Sequence, residues 1–161
     1  MKRSKTSLSL TRHEARRLTL QILYQVDLVA TRPEVALART LRTLEISAQD
    51  QELEYVHQLI NGVLEHQEEL DRYLGQYAQG WVVSRMAVVD RNLLRIALFE
   101  LLYCPDVPAA AAVDEAVELA KEYGDTDSPR FINGILGTFV RDHPRPAGPV
   151  TPAPTPGQST P

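Results

Sequence analysis

The amino-acid sequence of 161 residues predicts an all-α fold, with about seven helices packed as two subdomains of a single domain. Apolar residues recur at helical steps of three and four, and capping residues precede several of these segments. No stretch alternates apolar and polar residues as a half-exposed strand would. The domain is expected at residues 11–142, divided into an N-terminal subdomain at 11–80 and a C-terminal subdomain at 81–142.

The first helix is predicted to run from Arg12 to about Ala30. Thr11 and Glu14 have the spacing of a capping box at its start, and Pro33 follows its end. At 100° per residue, one face of this helix is apolar and must point into the core. That face consists of Ala15, Leu18, Ile22, Val26 and Val29.

The outward face of the first helix carries basic and aromatic side chains. Helical geometry aligns His13, Arg17 and Tyr24 on it, with Arg12 and Arg16 on the flank. Guanidinium groups contact phosphates and a Tyr ring stacks on an unstacked base, so this pattern suits single-stranded RNA. A solvated basic face, with Tyr24 half-buried against a neighbouring helix, explains the same residues, and the residues alone leave both explanations open.

Three segments follow before the second subdomain. Residues 33–43 predict a short helix, residues 53–64 an amphipathic helix that serves as scaffold, and residues 70–77 a brief apolar segment. Ser47 and Asp50 form a cap-like pair before the amphipathic helix.

A long helix is predicted to begin near Ser84 and to be apolar on nearly all sides, which places it in the middle of the core. Residues 106–108 end it, and Pro108 starts a helix that is rich in Ala and Glu. Gly124 is predicted to close this second helix in the left-handed conformation. Glu100 falls among apolar residues of the long helix, where we expect a buried acid with a paired cation.

The last helix is predicted to begin with Ser128 as its N-cap and Pro129 in its first turn. Its inner face consists of Ile132, Ile135, Leu136 and Phe139. Gly134 and Gly137 lie inside this helix, and we expect them to allow close packing against a neighbour rather than to clamp a nucleotide.

Asp127, Arg130 and Phe131 form a second candidate surface where the last helix begins. Helix capping, an acid favoured by the helix dipole and a core aromatic residue explain these positions without any ligand. Judged by residue type alone, that structural explanation is the better one.

Charge is distributed unevenly along the chain. The net charge is −4, but residues 1–17 contain six basic residues and one acidic residue, so this segment carries +5 and the remainder −9. A basic end on an acidic body confines any contact with phosphate to that end. Residues 1–10 are expected to be a flexible basic lead, and residues 143–161, which hold seven of the eleven prolines, a disordered tail.

The sequence offers little for catalysis. The four histidines and Cys104 lack metal-ligand spacing, no Gly-rich phosphate loop follows a strand, and the single cysteine cannot form an internal disulfide. We therefore expect a protein without catalytic residues, cofactor or metal. No apolar run approaches the ~20 residues of a membrane span, and no secretion signal is evident, so a cytoplasmic location without membrane contact is expected.

Two parts of the chain resemble the NusB family of bacterial transcription antitermination factors. One is RHEARRLTLQILYQVDL at residues 12–28; the other combines DRNLLRIALFELLY, VDEAVELAKEYG and DSPRFINGILG within residues 90–137. The resemblance extends over about residues 11–142. It implies an all-helical protein that is not an enzyme and that binds boxA-type single-stranded RNA in nascent ribosomal transcripts.

The resemblance also implies partners and site residues. The partner would be the ribosomal protein NusE, in a heterodimer that joins the antitermination complex on RNA polymerase. The first RNA-binding group would be Arg12, His13, Arg16, Arg17 and Tyr24, and the second would be Asp127, Arg130 and Phe131. Asp90, expected at the exposed beginning of the long helix, matches an acidic position that meets NusE. Homodimer formation stays open, because some relatives self-associate.

Two other functions remain alongside this one. NusB-like domains also serve as RNA-binding appendages of rRNA cytosine methyltransferases, although the Pro-rich tail leaves no room here for a cofactor-binding α/β domain. A helical adaptor that binds only protein is the second alternative, and an RNA-binding measurement separates it from the RNA-binding factor.

Overall fold

The computed structural model describes residues 9–145 and contains seven α-helices within that range. They are α1 (Arg12–Val29), α2 (Pro33–Leu44), α3 (Leu53–Glu65), α4 (Gln67–Tyr77), α5 (Val88–Tyr103), α6 (Ala109–Tyr123) and α7 (Ser128–Asp142). A short 3-10 helix, Val83–Arg85, precedes α5, and residues 9–145 contain no strand. The all-α prediction is confirmed. The first eight residues of the predicted lead, and residues 146–161 of the predicted tail, lie outside the described residues.

Helix α5 is the central element of the core, as its sequence predicted. It packs against α1, α3, α4, α6 and α7. Most of its apolar side chains are buried whichever way they face, and these are Leu93, Leu94, Ile96, Ala97, Leu98 and Phe99. A helix surrounded by five others needs apolar residues on every side, because little of its surface remains in water.

Two close approaches between helices depend on the absence of a Cβ atom. A Cβ built on Gly62 of α3 would lie 2.1 Å from Cζ of Phe99. Gly124, the C-cap of α6, was predicted to be left-handed, and this prediction is wrong because its φ is −96°. Glycine is needed there for space instead, since a Cβ would lie 2.6 Å from Oγ of Ser128.

The sequence predicted the N-cap of α1 correctly but not that of α7. The capping box of α1 is present, with Thr11 Oγ1 accepting the Glu14 N–H at 3.0 Å and a Glu14 oxygen accepting the Thr11 N–H at 2.9 Å. Ser128 is the first residue of α7 rather than its N-cap, and its Oγ accepts the N–H of Asp125 at 2.9 Å. Gly134 does not support a close helix contact either, since no atom lies within 4 Å of a Cβ built there.

An ion-pair network joins α1 to α5 and α4. Arg91 donates two hydrogen bonds to the Asp27 carboxylate, at 2.7 and 2.8 Å, and Arg95 donates two to Asp71, at 2.8 and 2.9 Å. Arg95 and Asn92 also donate to Asp27, at 3.2 and 2.9 Å. The hydrogen bond from Arg91 is the main reason that the pKa of Asp27 lies below its ordinary value, although partial burial opposes the shift. The network fixes the carboxyl end of α1 against the start of α5.

The residues that follow α7 continue along the body. The ring of His143 stacks on Phe139, with 4.2 Å between ring centroids. Arg145 donates hydrogen bonds to the carbonyl oxygens of Glu100 and Cys104, at 3.0 and 3.3 Å, where α5 ends. Unpaired carbonyls at a helix C-terminus favour a cation, so Arg145 caps the central helix.

Spanning a lipid bilayer would require a longer or more apolar helix than any that the structure describes between residues 9 and 145.

Candidate nucleic-acid interface

The cations at the start of α1 each meet a carboxylate of the same chain. Arg12 donates from Nε to Glu52 at 3.0 Å, and its guanidinium lies 3.7 Å from the centroid of the Tyr55 ring. His13 contacts Glu115 of α6 through Nδ1. Arg12 is exposed and His13 is half-buried, so both can be reached from solvent. A phosphate that approached either side chain would compete with a carboxylate already in place.

Arg16 lies inside the protein. Its side chain donates from Nε to Glu100 at 2.9 Å, and only 5% of Arg16 and 1% of Glu100 are exposed. The hydroxyl of Tyr55 donates to the same carboxylate. Burial raises the pKa of Glu100 above its ordinary value, although the adjacent Arg16 opposes that shift. The expectation of a buried, paired Glu100 is confirmed. Arg16 therefore packs in the interior beneath the outward face of α1 and does not extend from that face into solvent.

Arg17, Gln21 and Tyr24 follow one another along the accessible edge of α1 beside α6. Arg17 donates to Glu122 at 3.3 Å, and Gln21 donates to the hydroxyl of Tyr123 at 3.2 Å. Tyr24 is 38% exposed. The structure thus brings a cation, an amide and an aromatic ring to one surface. Helical spacing predicted Arg17 and Tyr24 on it, and Gln21 was not predicted.

A cavity of about 460 Å³ opens beside Tyr24. Helices α1, α2, α5 and α6 all contribute to it, and its lining residues are Leu20, Gln21, Tyr24, Gln25, Thr40, Val89 and Tyr123. Its volume lies within the range of about 300–1,000 Å³ that is common for ligand sites. Its polar groups are two side-chain amides and three hydroxyls, so it combines a largely apolar wall with hydrogen-bonding capacity.

The second candidate surface contains an aromatic residue that sequence reasoning missed. Phe131 packs edge-on against Trp81, with 5.5 Å between ring centroids, and Trp81 is 54% exposed. Asp127 lines two cavities together with this aromatic pair. One cavity, of about 310 Å³, includes Asp90; the other, of about 460 Å³, includes Arg130. The only sequence signal for Trp81 was a large aromatic residue in a short segment between two helices.

Asp90 corrects one expectation. It was predicted at the exposed beginning of the long helix, but it is 9% exposed. Its Oδ1 is buried and finds no hydrogen-bond donor among residues 9–145. Burial raises the pKa of Asp90, the nearby Ser128 hydroxyl opposes this shift, and the negative charge of Asp125 adds to it. The prediction of an exposed Asp90 is wrong because the loop before α7 covers it.

The two surfaces lie on either side of the start of α5. Val89 lines the cavity beside Tyr24, and its neighbour Asp90 lines a cavity beside Trp81. Helix α7 itself packs mainly on α4, α5 and α6. The second surface therefore reaches α1 through the first turn of α5, not through direct packing of α7 on α1.

The described residues provide little for chemistry at a metal or a nucleophile. No group of three His, Cys, Asp or Glu side chains between residues 9 and 145 is placed to hold a metal ion. Cys104 is buried, and burial raises the pKa of its thiol to about 11, so the thiolate is scarce near neutral pH.

Comparisons with known proteins agree with one another. The model of the NusB family matches residues 13–141. The chain is 47% identical over 139 residues to the transcription antitermination protein NusB of Desulforamulus reducens, covering 86% of this chain and 95% of that protein. It is 45% identical to that of Symbiobacterium thermophilum, with 82% and 90% covered.

Solved structures show the same likeness. NusB of T. maritima superposes with a TM-score of 0.75 at 31% identity, covering 84% of this chain and 94% of that chain. A structure of the antitermination factors NusB and NusE in complex with dsRNA matches with a TM-score of 0.73 at 25% identity, with 83% and 100% covered.

Proposed function

The chain belongs to the NusB family, and we propose on that basis that it is a transcription antitermination factor that binds RNA together with the ribosomal protein NusE. The RNA is a boxA-type single-stranded element of nascent ribosomal transcripts. The protein acts in the cytoplasm within the antitermination complex on RNA polymerase, and it catalyses no reaction. A solved structure of NusB and NusE in complex with dsRNA supports NusE and RNA as the classes of partner.

The observation that carries the proposal is the accessible edge of α1. Arg17 and Tyr24 remain reachable from solvent on one helix face, with Arg12 and His13 at the end of that face. A rigid helix that presents cations and an aromatic ring in line can fix phosphates and stack a base. Arg16 contributes by holding this end of α1 against α5 through Glu100.

Titration of a fluorescently labelled boxA-type RNA, followed by anisotropy with and without NusE, tests the proposal. We expect measurable binding that tightens when NusE is added. If Arg12, His13 and Arg17 each neutralise one phosphate, the logarithm of the affinity should fall against the logarithm of the salt concentration with a slope near −2, at about 0.7 per contact.

The double variant Arg17→Ala with Tyr24→Ala should weaken binding by about 5-fold to about 150-fold, which corresponds to the ~1–3 kcal/mol of one lost stacking contact. Arg72→Ala with Tyr103→Ala is the matched control, because it removes one cation and one exposed tyrosine elsewhere and should leave binding unchanged. No RNA binding at low salt, with NusE present, would refute the proposal. Binding of NusE without RNA would instead identify a protein-only adaptor.

A further inference from the structure

Three carboxylates and two aromatic rings line one cavity at the start of α5. The cavity has a volume of about 310 Å³, and its acids are Asp90, Asp125 and Asp127. Trp81 and Phe131 form its aromatic wall. We call it the Asp90 cavity. Within residues 9–145, none of the three acids forms an ion pair with a Lys, Arg or His side chain, so the described part of the chain leaves the negative charge of the cavity unbalanced.

Asp90 is the most buried of the three acids. It is 9% exposed, whereas Asp125 and Asp127 are exposed. Its Oδ1 is buried and accepts no hydrogen bond from the residues that the structure describes. The dipole of α5 favours an acid in the first helical turn, but it does not replace a missing donor. Because a buried polar atom without a partner lowers stability, a ligand that donates a hydrogen bond to Oδ1 would stabilise the protein.

The charge and the walls of the Asp90 cavity favour an organic cation. Its carboxylates repel phosphate, so RNA is not the expected ligand. A divalent metal ion needs several oxygen ligands around one point, and no three His, Cys, Asp or Glu side chains between residues 9 and 145 are placed to supply them. Aromatic ring faces attract organic cations, and carboxylates form short hydrogen bonds with ammonium groups. An ammonium group on an apolar stem therefore fits both the acids and the rings.

We propose that the Asp90 cavity binds a linear diamine or polyamine, in which methylene groups join the ammonium groups. One ammonium group donates to the buried Oδ1 of Asp90. A second lies beside the exposed Asp125 and Asp127, where the cavity opens to solvent, and the methylene stem packs against Trp81. A ligand with a single charge satisfies the inner or the outer carboxylates but not both. The small volume of the cavity, at the lower end of the range of about 300–1,000 Å³ that ligand sites have, also suits such a narrow molecule.

Trp81 is the single tryptophan of the chain, so its fluorescence reports on the cavity that it lines. Titration of the full-length protein with diaminobutane, at constant ionic strength, should change the Trp81 emission along a saturating curve. Aminobutane, which has one ammonium group, should bind at least about 10-fold more weakly, because it lacks one charge-assisted hydrogen bond. Magnesium chloride at the same ionic strength should cause no saturating change.

Asp90→Asn keeps the size of the side chain and removes its charge. It should weaken diaminobutane binding about 10-fold or more. The melting temperature should not fall, because the substitution removes a buried charge. Diaminobutane should raise the melting temperature of the wild type more than that of Asp90→Asn. Asp114→Asn is the matched control, since Asp114 is an exposed acid of α6 that does not line the cavity, and its diaminobutane affinity should equal that of the wild type.

Equal affinity for diaminobutane and aminobutane, or wild-type affinity in Asp90→Asn, would show general screening of surface acids and overturn the proposal. So would a Trp81 emission and a melting temperature that diaminobutane leaves unchanged.

Addition of NusE distinguishes a free amine from a side chain of that partner. Diaminobutane should bind the NusE complex as tightly as the free protein. Loss of diaminobutane binding on addition of NusE would place a cationic side chain of NusE in the cavity and overturn the assignment to a free amine. Diaminobutane binding is measured without RNA, so its failure would leave the proposed function standing.

Discussion

Replacement of Arg16 by alanine separates structural support from RNA contact on α1. The sequence placed Arg16 on the flank of the candidate RNA face, but the structure pairs it with Glu100 at 2.9 Å in the interior. Removing the guanidinium leaves the Glu100 carboxylate, 1% exposed, with the Tyr55 hydroxyl as its remaining hydrogen-bond partner. Arg17 is one residue away, but its ion pair with Glu122 is partly exposed to solvent, so Arg17→Ala is the matched comparison.

The two substitutions should differ widely in their effect on the free energy of unfolding. Removing one partner of a buried ion pair costs about 3–5 kcal/mol, whereas an exposed pair contributes about 0–1 kcal/mol. Domains have a total stability of about 5–15 kcal/mol, so Arg16→Ala should leave a marginally folded protein. With a urea dependence of about 1–3 kcal/mol per molar, its unfolding midpoint should fall by roughly 2 M.

Urea unfolding followed by circular dichroism measures this difference, and RNA anisotropy on the same samples measures binding. Arg17→Ala should unfold close to the wild type and bind RNA more weakly. Arg16→Ala should unfold early and lose RNA binding only to the extent that it is unfolded. A stability loss below about 1 kcal/mol for Arg16→Ala would refute our assignment of Arg16 as a buried structural cation.

Three further predictions concern α1, α3 and α6. Hydrogen bonds from α5 lower the pKa of Asp27 below its ordinary value of 3.8. The Asp27 carboxylate therefore contributes its full stabilisation above pH 3.8, and this stabilisation is lost as the pH falls through the lower pKa of the folded state. Asp27→Asn should therefore lower stability at neutral pH and flatten the stability profile between about pH 5 and about pH 2, measured by unfolding at each pH. Gly62→Ala should cost about 1–3 kcal/mol or more by thermal unfolding, because the new methyl group displaces the Phe99 ring. Glu122→Gln frees Arg17 from its ion pair and should tighten RNA binding, measured by anisotropy; weaker binding would show that the ion pair positions the arginine instead.

The sequence predicts helices well here because their signals are local. The capping box that marks the start of α1 consists of Thr11 and Glu14, which are only three residues apart. The apolar residues on nearly all sides of α5 predict its central position, because such a helix is stable only where other helices cover it. The prediction of a left-handed conformation for Gly124 was wrong. The position of Gly124 at the end of α6 follows from neighbouring residues in the sequence. Its close contact with Ser128 depends on how α7 packs on α6, which the local sequence does not predict.

The candidate site was less predictable than the fold, since burial depends on residues far away in the chain. Arg16 and Arg17 look alike in sequence, and the difference between them is Glu100, which lies 84 positions from Arg16. Asp90 is covered by the loop that leads into α7. Trp81 became a candidate only when the structure placed it against Phe131, because an isolated aromatic residue between helices carries no periodicity to interpret.

The pairing of the α1 cations with carboxylates determines where the affinity for RNA must come from. A phosphate that reaches Arg17 replaces Glu122, and one that reaches His13 replaces Glu115, so each contact exchanges one anion for another with little net gain. Polyanions that offer only charge should therefore bind weakly to this face. Under the proposed function, RNA that also offers a base to Tyr24 would gain stacking energy that other anions lack, and NusE would add contacts of its own. Paired cations thus favour selectivity over affinity, because they limit non-specific binding while leaving the base contacts intact.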